Sequence, residues 1–227
     1  MYQHFVKHYN DIFPFDESLK DSLIPFIKTR GKAVDLGCGT GRLVHLVSDM
    51  GMDSCGVDLD KEMVAYAKKA FPELTFYHEN MINFIKNHQG FDLMLCLGNT
   101  LPHLNYDELK TFFTYVKNAL NPGGVILIQQ LNYDKILRDK PTSLKKIILD
   151  NGYFERHYTY HEHTIQFETV LSYHGELTKD TVTLYPHTRH VLSSLLDDVQ
   201  LSLTFSHDFK DQIDDINAYY ISMIIKK

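Results

Sequence analysis

The sequence of 227 residues has no tryptophan and only three cysteines. Cys38, Cys55 and Cys96 include no C-x-x-C pair, so neither a disulfide framework nor a structural zinc site is predicted. No apolar run approaches the roughly 18 residues that a membrane helix needs. Residues 1–15 lack the apolar core of a signal peptide. We therefore expect a cytoplasmic protein with no membrane partner.

Basic residues are fewer than acidic ones, and this charge balance bears on the partner. The chain has 23 Lys and Arg against 29 Asp and Glu, a formal net charge of −6. Because DNA binding depends on Lys and Arg contacts with phosphates, we expect no DNA partner. Histidines number 13, but no HExxH or Cys-His pattern accompanies them, so we expect no metal. We interpret them as solvated or packed strand residues, with His161 and His163 on one strand face.

Between residues 32 and 130, short apolar segments alternate with helical ones. Strands are predicted at 32–36, 54–58, 74–78, 91–97 and 125–130. Helices are predicted between them at 41–50, 61–70, 81–88 and 106–120, with an N-P-G-G turn at 121–124. Such nearly continuous apolar strands predict a parallel sheet covered by helices on both faces.

The pattern changes after Asn132. Alternating segments at 153–160, 163–173 and 179–185 predict an antiparallel meander, followed by a helix at 190–199 and strands at 201–207 and 218–225. The predicted fold class is α/β: a Rossmann-like, doubly wound, mostly parallel seven-stranded sheet with an antiparallel β-meander inserted after strand five. We predict a single domain over 1–227. Within it, 1–31 is a helical lid and 152–186 is an insertion over the substrate pocket.

A glycine-rich loop follows the first predicted strand. It reads Asp35-Leu36-Gly37-Cys38-Gly39-Thr40-Gly41. The dinucleotide fingerprint G-x-G-x-x-G/A needs a glycine or alanine where Arg42 stands, which disfavours NAD. Asp58 ends the second strand, where a carboxylate can accept hydrogen bonds from ribose hydroxyls. The alternative is that Asp35 and Asp58 only cap turns.

The loop and the strand pattern resemble class I S-adenosylmethionine-dependent methyltransferases, whose loop reads E/D-x-G-x-G-x-G. The resemblance covers about residues 32–130 and the closing strands. It implies S-adenosyl-L-methionine as cofactor, with Asp35 organising the loop and the ammonium end of the cofactor. Tyr9 could cover the cofactor or only pack against Phe13 and Phe15. The implied cofactor-binding residues are Tyr9, Asp35, Gly37, Gly39, Thr40, Gly41, Asp58, Leu59, Asn80, Met81 and Leu97.

Two segments are similar to glycine N-methyltransferases in particular: C-L-G-N-T-L-P-H-L at 96–104 and N-Y-D-K-I-L at 132–137. The similarity implies that Asn99 faces the substrate and that His103 lies near the cofactor, as the catalytic residues. His103 could instead bond only to the backbone. Those enzymes carry an arginine before N-Y-D that holds the substrate carboxylate, whereas this chain has Leu131. Glycine is therefore disfavoured unless Arg156 or Arg189 compensates.

The resemblance implies methyl transfer to a small-molecule acceptor, at an amine nitrogen, by in-line displacement. Base-methylating enzymes carry [D/N]-P-P-[F/Y/W] after strand four, but residues 99–102 read N-T-L-P. Three alternatives stay open: a protein acceptor, an RNA acceptor, and a non-catalytic S-adenosylmethionine-binding regulator. A homodimer is also open.

Overall fold

A computed structural model describes residues 5–210 and 215–227. Its α-helices are α1 (Tyr9–Ile12), α2 (Leu19–Leu23), α3 (Arg42–Asp49), α4 (Lys61–Ala70), α5 (Met81–Asn87), α6 (Tyr106–Ala119), α7 (Tyr133–Asp139) and α8 (Arg189–Asp198). Its strands are β1 (Lys32–Leu36), β2 (Asp53–Asp58), β3 (Thr75–His78), β4 (Phe91–Cys96), β5 (Leu120–Leu131), β6 (Ile147–Leu149), β7 (Gly152–Tyr160), β8 (Ile165–Tyr173), β9 (Glu176–Leu184), β10 (Ser202–Ser206) and β11 (Tyr220–Lys226). Short 3-10 helices cover Val6–His8, Ile24–Phe26 and Leu101–His103.

The larger sheet has seven strands in the order β10-β11-β5-β4-β1-β2-β3. Strands β1 to β5 are parallel, whereas β11 runs antiparallel to its neighbours β5 and β10. The strand order reverses at β1, because β2 and β3 lie on one side of it and β4 and β5 on the other. The predicted Rossmann-like, mostly parallel sheet is confirmed. Sheets of this kind bind ligands at the carboxyl edge beside the reversal.

Both faces of this sheet are packed, as the apolar strands predict. Along β1, Val34 joins the core under α5, α6 and α8, whereas Ala33 joins the core under α2 and α3. Phe113 and Phe84 are fully buried on the first face. Burying a side chain of that size contributes roughly 2–3 kcal/mol. The sheet is thus a rigid platform whose loops at the carboxyl edge are held from below.

Polar side chains fix where three of the helices begin. Asp60 accepts hydrogen bonds from the backbone N–H groups of the first turn of α4. Asn80 caps α5 in the same way, and Asn105 and Glu108 form a reciprocal capping box at α6. Caps of this type typically contribute about 1 kcal/mol each. They hold the loops that follow β2 and β3 in fixed positions beside the carboxyl edge.

The smaller sheet is antiparallel, with the order β6-β7-β8-β9. The meander was predicted as three strands, and the structure adds β6 at its edge. One patch of this sheet packs on α7 through Tyr158, Ile165 and Leu184. Another packs on the N-terminal segment through Phe154 and Leu171. The sheet therefore contacts the rest of the chain along one face.

The N-P-G-G segment was predicted to lie between a helix and a strand, but it lies inside β5. The side chain of Asn121 donates to the carbonyl of Gly90 at 3.0 Å and to Asp92 Oδ1 at 3.2 Å. These bonds keep the segment beside β4. The extra residues shift the register between Phe91 and Leu93. The predicted turn is therefore present as an irregularity within β5, because residues 121–124 are not among those that pair with β4 or β11.

Two further predictions differ from the structure. His161 and His163 were expected on one strand face, but both lie in the turn between β7 and β8, where a bend reverses the chain. Helix α7 was not predicted at all. Of the N-terminal segment predicted as helical, residues 1–4 lie outside the described residues, and the remainder contains α1, α2 and two 3-10 helices. Within residues 5–210 and 215–227, no helix is long and apolar enough to span a membrane.

Candidate active site

A cavity of about 790 Å³ opens at the carboxyl edge of the larger sheet. Its floor is formed by residues that end or follow β1, β2, β4 and β5, and its remaining walls come from the N-terminal segment and β7 to β9. Eight of the eleven predicted cofactor-binding residues line it, as do Asn99 and His103. The other three do not line it: Asp35 lies within β1, Thr40 bonds to Asn10, and Gly41 packs against Phe76.

The glycine loop adopts a conformation that only glycine tolerates well. Gly37, Gly39 and Gly41 have φ values of +85°, +51° and +83°. A Cβ at Gly37 would lie 2.5 Å from Thr100 Cγ2, and one at Gly41 would lie 2.8 Å from the Phe76 ring. Gly37 and Gly39 thus leave open backbone at the cavity. Gly41 instead allows close packing behind the loop.

Asp58 lies at the end of β2 and lines the cavity. Its Oδ2 accepts from the N–H of Gly39 at 2.8 Å and its Oδ1 accepts from the N–H of Asp60 at 2.8 Å. Burial raises the pKa of Asp58 above its ordinary value, and these two hydrogen bonds oppose the rise. Each carboxylate oxygen keeps a lone pair, so the group can still accept two hydroxyl donors.

Asp35 lies inside β1, beneath the loop, with only 5% of its surface exposed. Burial, and then the nearby negative charge of Asp58, raise its pKa to about 8. A positively charged ligand above the loop would oppose that rise. The predicted role of Asp35 toward the ammonium end of the cofactor therefore stays an electrostatic one, because its side chain does not reach the cavity wall.

The rim next to Asp58 offers an apolar surface. Leu59, Met81 and Leu97 line it, and Leu59 is 69% exposed. Asn80 Oδ1 is occupied by the N–H groups of Ile82 and Asn83, so its NH₂ group is the part left to donate. Apolar side chains with one amide donor fit the flat face and the edge of a purine.

The N-terminal segment reaches the loop from the other side. Thr40 Oγ1 donates to Asn10 Oδ1 at 3.0 Å, and Arg42 Nη2 donates to the carbonyl of Phe13 at 2.6 Å. Tyr9 lines the cavity, its ring lying next to Gly39, and burial raises its pKa to about 12. The centres of the Tyr9 and Phe13 rings are 5.1 Å apart, as the packing alternative expects, and a role of Tyr9 over the cofactor stays a prediction.

Asn99 and His103 follow β4. Asn99 has φ +66°, and its Oδ1 accepts from the N–H of Leu131 at 3.0 Å. Its NH₂ group lies 3.2 Å from the hydroxyl of Tyr133. Burial lowers the pKa of His103 to about 4. His103 is therefore neutral at physiological pH, and Asn99 ties the end of β5 to β4 at the cavity wall.

The far wall contains residues that motif analysis did not identify. Tyr158, Phe167 and Leu184 come from β7, β8 and β9, and Leu144 precedes β6. Arg156 joins them, whereas Arg189 bonds to Asn132 Oδ1 at 2.8 Å and is not among the cavity residues. Period-2 alternation of 154, 156, 158 and 160 was the available signal, but it does not show which face meets the cavity.

Comparisons with known proteins agree with this geometry. Residues 33–124 match a family model described as a methyltransferase domain. The match supports a class I methyltransferase domain over residues 33–124. This domain is followed in the chain by the smaller sheet. The matched family, together with the loop and Asp58, supports S-adenosylmethionine as its cofactor and supports an enzyme.

Relatives of the methyltransferase domain share part of their length with this chain. A glycine/sarcosine N-methyltransferase of Halorhodospira halochloris is 31% identical over 173 residues, which are 69% of this chain and 58% of the relative. A dTDP-3-amino-3,4,6-trideoxy-alpha-D-glucopyranose N,N-dimethyltransferase of Streptomyces venezuelae is 28% identical over 98 residues, 42% of this chain and 40% of the relative. The chain thus spans 58% of the length of the first relative and 40% of the second.

The fold also occurs in a solved structure over nearly the whole chain. An S-adenosylmethionine-dependent methyltransferase from Clostridium acetobutylicum has a TM-score of 0.84 at 18% identity, covering 99% of this chain and 98% of that one. At this identity the likeness concerns the fold, and it includes the smaller sheet. Among the described residues, no group of three or more His, Cys, Asp or Glu is placed to hold a metal ion.

Proposed function

We propose that the protein transfers a methyl group from S-adenosylmethionine to the nitrogen of a small-molecule amine. The observation that carries the proposal is that one cavity joins the Gly37–Gly39 loop and Asp58 on one side to Tyr158 and Phe167 on the other. A volume of about 790 Å³ suits a nucleoside cofactor with a small acceptor. Relatives named for glycine, sarcosine and an amino sugar support a nitrogen acceptor.

The residues present fit the cofactor at each of its parts. Asp58 would accept from the ribose hydroxyls, and the apolar rim of Leu59, Met81 and Leu97 would hold the base. The open backbone at Gly37 and Gly39 would face the amino-acid tail. When bound, the cofactor supplies an activated methyl group on a sulfonium, and the new C–N bond forms as the S–C bond breaks.

This chain's residues orient the acceptor and exclude water. The walls from Leu144, Phe167 and Leu184 are apolar, which favours the neutral amine over the ammonium ion. His103 has a pKa of about 4, so it is too weak a base to take a proton from an ammonium group. The acceptor therefore loses its proton to water before transfer, and the protein contributes position more than acid–base chemistry.

Turnover with a panel of amines tests the proposal. The protein is incubated with S-adenosylmethionine and glycine, sarcosine, an amino sugar or apolar amino acids, and S-adenosylhomocysteine formation and the product mass are measured. We expect a mass gain of one methyl group on nitrogen, abolished in Asp58→Ala. Tight binding of S-adenosylhomocysteine without turnover of any amine would favour the regulator. Transfer to protein or RNA alone would favour a macromolecular acceptor.

A further inference from the structure

Strand β7 presents alternate side chains to the cavity side of the smaller sheet. Phe154 packs on the N-terminal segment, and Tyr158 packs on α7 and lines the cavity. Arg156 lies between them in the strand, so it shares their face and also lines the cavity. Glu155 and His157 share the other face, where Glu155 pairs with Lys146 at 2.5 Å.

The guanidinium of Arg156 is only partly satisfied. Nη2 donates to the carbonyl of Lys145 at 3.0 Å. Nε is buried and has no hydrogen-bond partner within the described part of the chain, and no carboxylate there lies within 4 Å of the group. A buried donor without a partner is costly. Nε is therefore positioned to receive an acceptor atom from a ligand.

Tyr158 follows Arg156 by two residues on the same face of β7, and its hydroxyl is a second unsatisfied donor. It is buried without a hydrogen-bond partner among the described residues, in a side chain that is only 4% exposed. Burial raises the pKa of this phenol, so it stays protonated and can donate. Two unsatisfied donors, one of them cationic, thus belong to cavity-lining residues on the same face of β7.

Charge along the cavity is unevenly distributed. Among the described residues that line it, Arg156 is the one Lys or Arg, whereas five are acidic: Asp16, Asp58, Asp60, Glu79 and Glu108. Leu144, Phe167 and Leu184 give the cavity apolar lining as well, and the guanidinium of Arg156 lies 5.9 Å from the centre of the Phe154 ring. One cation in an apolar wall can balance a monoanion, but a phosphate dianion would keep one charge unpaired.

We propose that Arg156 and the hydroxyl of Tyr158 bind a carboxylate of the methyl acceptor. The acceptor is then an amino acid or a similar amine that carries one carboxylate and an apolar body. This inference rests on the proposed methyl transfer. It assigns to the inserted sheet the anchoring that Leu131 cannot provide, and Arg189 is excluded from that role by its bond to Asn132.

The test compares each acid with its amide. Protein saturated with S-adenosylhomocysteine is titrated by calorimetry with L-leucine and L-leucinamide, and with L-phenylalanine and L-phenylalaninamide. We expect each acid to bind roughly 10- to 100-fold more tightly than its amide, the usual effect of a charge-assisted hydrogen bond. The amide has the less basic amine, so amine basicity alone would favour the amide.

Variants then test which residues cause the preference for the acid over the amide. Arg156→Met should remove it and leave S-adenosylhomocysteine affinity unchanged, and Tyr158→Phe should reduce it several-fold. The matched control is Arg138→Met, an exposed arginine paired with Asp139 that is not among the cavity residues. If Arg156→Met does not fold by circular dichroism, Arg156→Lys replaces it, with a reduced preference expected.

Four results would overturn the inference: equal binding of acid and amide, no binding by any of the four compounds, an unchanged preference in Arg156→Met, and a comparable loss of S-adenosylhomocysteine affinity in that variant. The last would mean that Arg156 holds the cofactor's own carboxylate.

The same compounds, incubated with S-adenosylmethionine, separate the two proposals. Selective acid binding without methylated product would refute methyl transfer alone. Equal turnover of acid and amide would refute the carboxylate site alone.

Discussion

The two sides of the cavity are built by different means. On the side proposed for the cofactor, Gly37 and Gly39 follow β1 and Asp58 ends β2, and a hydrogen bond from the Gly39 N–H to the Asp58 carboxylate holds them together. On the acceptor side, Arg156 and Tyr158 project from an antiparallel strand, and donors of both side chains are without partners among the described residues. One side is complete before a ligand arrives, whereas the other offers unsatisfied donors.

This difference separates affinity from selectivity. A pre-formed loop suits the cofactor, which is the same for every acceptor, because the geometry of the loop does not depend on the acceptor. Buried donors without partners discriminate strongly between ligands that can and cannot accept from them. Changes on the cofactor side should therefore alter binding of the cofactor for every acceptor, and changes on the acceptor side should alter the choice among acceptors.

Asp58→Ala should have the largest effect. It removes the acceptor for the ribose hydroxyls and also the bond to Gly39, so we expect S-adenosylhomocysteine affinity to fall at least 100-fold, about 3 kcal/mol. Calorimetry measures it. Asp49→Ala, on an exposed side chain of α3, is the control and should bind normally. Unchanged affinity in Asp58→Ala would refute the ribose role.

Gly41→Ala tests packing behind the loop. The new Cβ would lie 2.8 Å from Phe76 at φ +83°, and we expect the free energy of unfolding to fall by about 2–3 kcal/mol. Gly123→Ala is matched, since φ is +74° there with nothing within 4 Å of the new atom. It should cost only about 1 kcal/mol. Equal losses in urea denaturation would show that strain, not packing, dominates.

Asn99→Ala is expected to lower kcat about 10- to 30-fold, close to 2 kcal/mol, because the end of β5 loses its bond to β4. Affinity for S-adenosylhomocysteine should stay within roughly twofold. Steady-state kinetics and calorimetry together measure the split. Full activity would exclude Asn99 from the acceptor side, and a large loss of affinity would assign it to the cofactor side.

Asp35 should make the stability of the cofactor-free protein depend on pH. Its folded pKa of about 8 lies above the ordinary 3.8, so the folded state holds a proton that the unfolded state releases. Stability from this group is complete below pH 4 and is lost as pH rises toward 8, by at most about 1.4 kcal/mol per unit. His103 and His187, with pKa values near 4, act oppositely below pH 6.5.

The window from pH 7.5 to 8.5 lies above most of the titration of these two histidines in the unfolded state, so Asp35 dominates the slope there. We expect the unfolding midpoint in urea to fall across it in the wild type and to stay flatter in Asp35→Asn. Saturating S-adenosylmethionine should reduce the slope, because its positive charge lowers the pKa of Asp35. A slope that persists in Asp35→Asn would assign the proton to another group.

His103→Gln should have the smallest effect. A histidine with a pKa of about 4 is neutral from pH 6 to 9, so the glutamine keeps a neutral polar side chain. We expect kcat to change less than about fivefold, with the same pH profile. A lost ionisation between pH 6 and 8 would show that His103 titrates during turnover and acts as a base.

The cofactor side could largely be predicted from the sequence, because its geometry is local. Gly37, Gly39 and Asp58 lie within one strand–loop–helix–strand unit, where spacing determines position. Asp35 belongs to the same motif but lies beneath the cavity. Side chains on β1 alternate between the two faces of the sheet, and the spacing of a motif does not show which of them reach a ligand. The fold class followed from strand periodicity for the same local reason.

The acceptor side could not be predicted to the same depth. The alternation around Arg156 predicts a strand, but whether that residue meets solvent or a cavity depends on how the smaller sheet packs on α7 and the N-terminal segment. Asn121 shows the same limit, since its bonds to Gly90 and Asp92 hold the predicted break beside β4 as an irregular part of β5. Contacts between residues distant in sequence decide both cases.

The N-terminal segment touches both sides at once, through Asn10 at Thr40 and through Phe13, whose ring meets Phe154 at 5.6 Å. If binding of the cofactor orders this segment, the affinity for the acceptor rises by some factor. Thermodynamic linkage then requires that binding of the acceptor raises the affinity for the cofactor by the same factor. Shortening the Phe13 side chain would then lower that factor for both ligands equally.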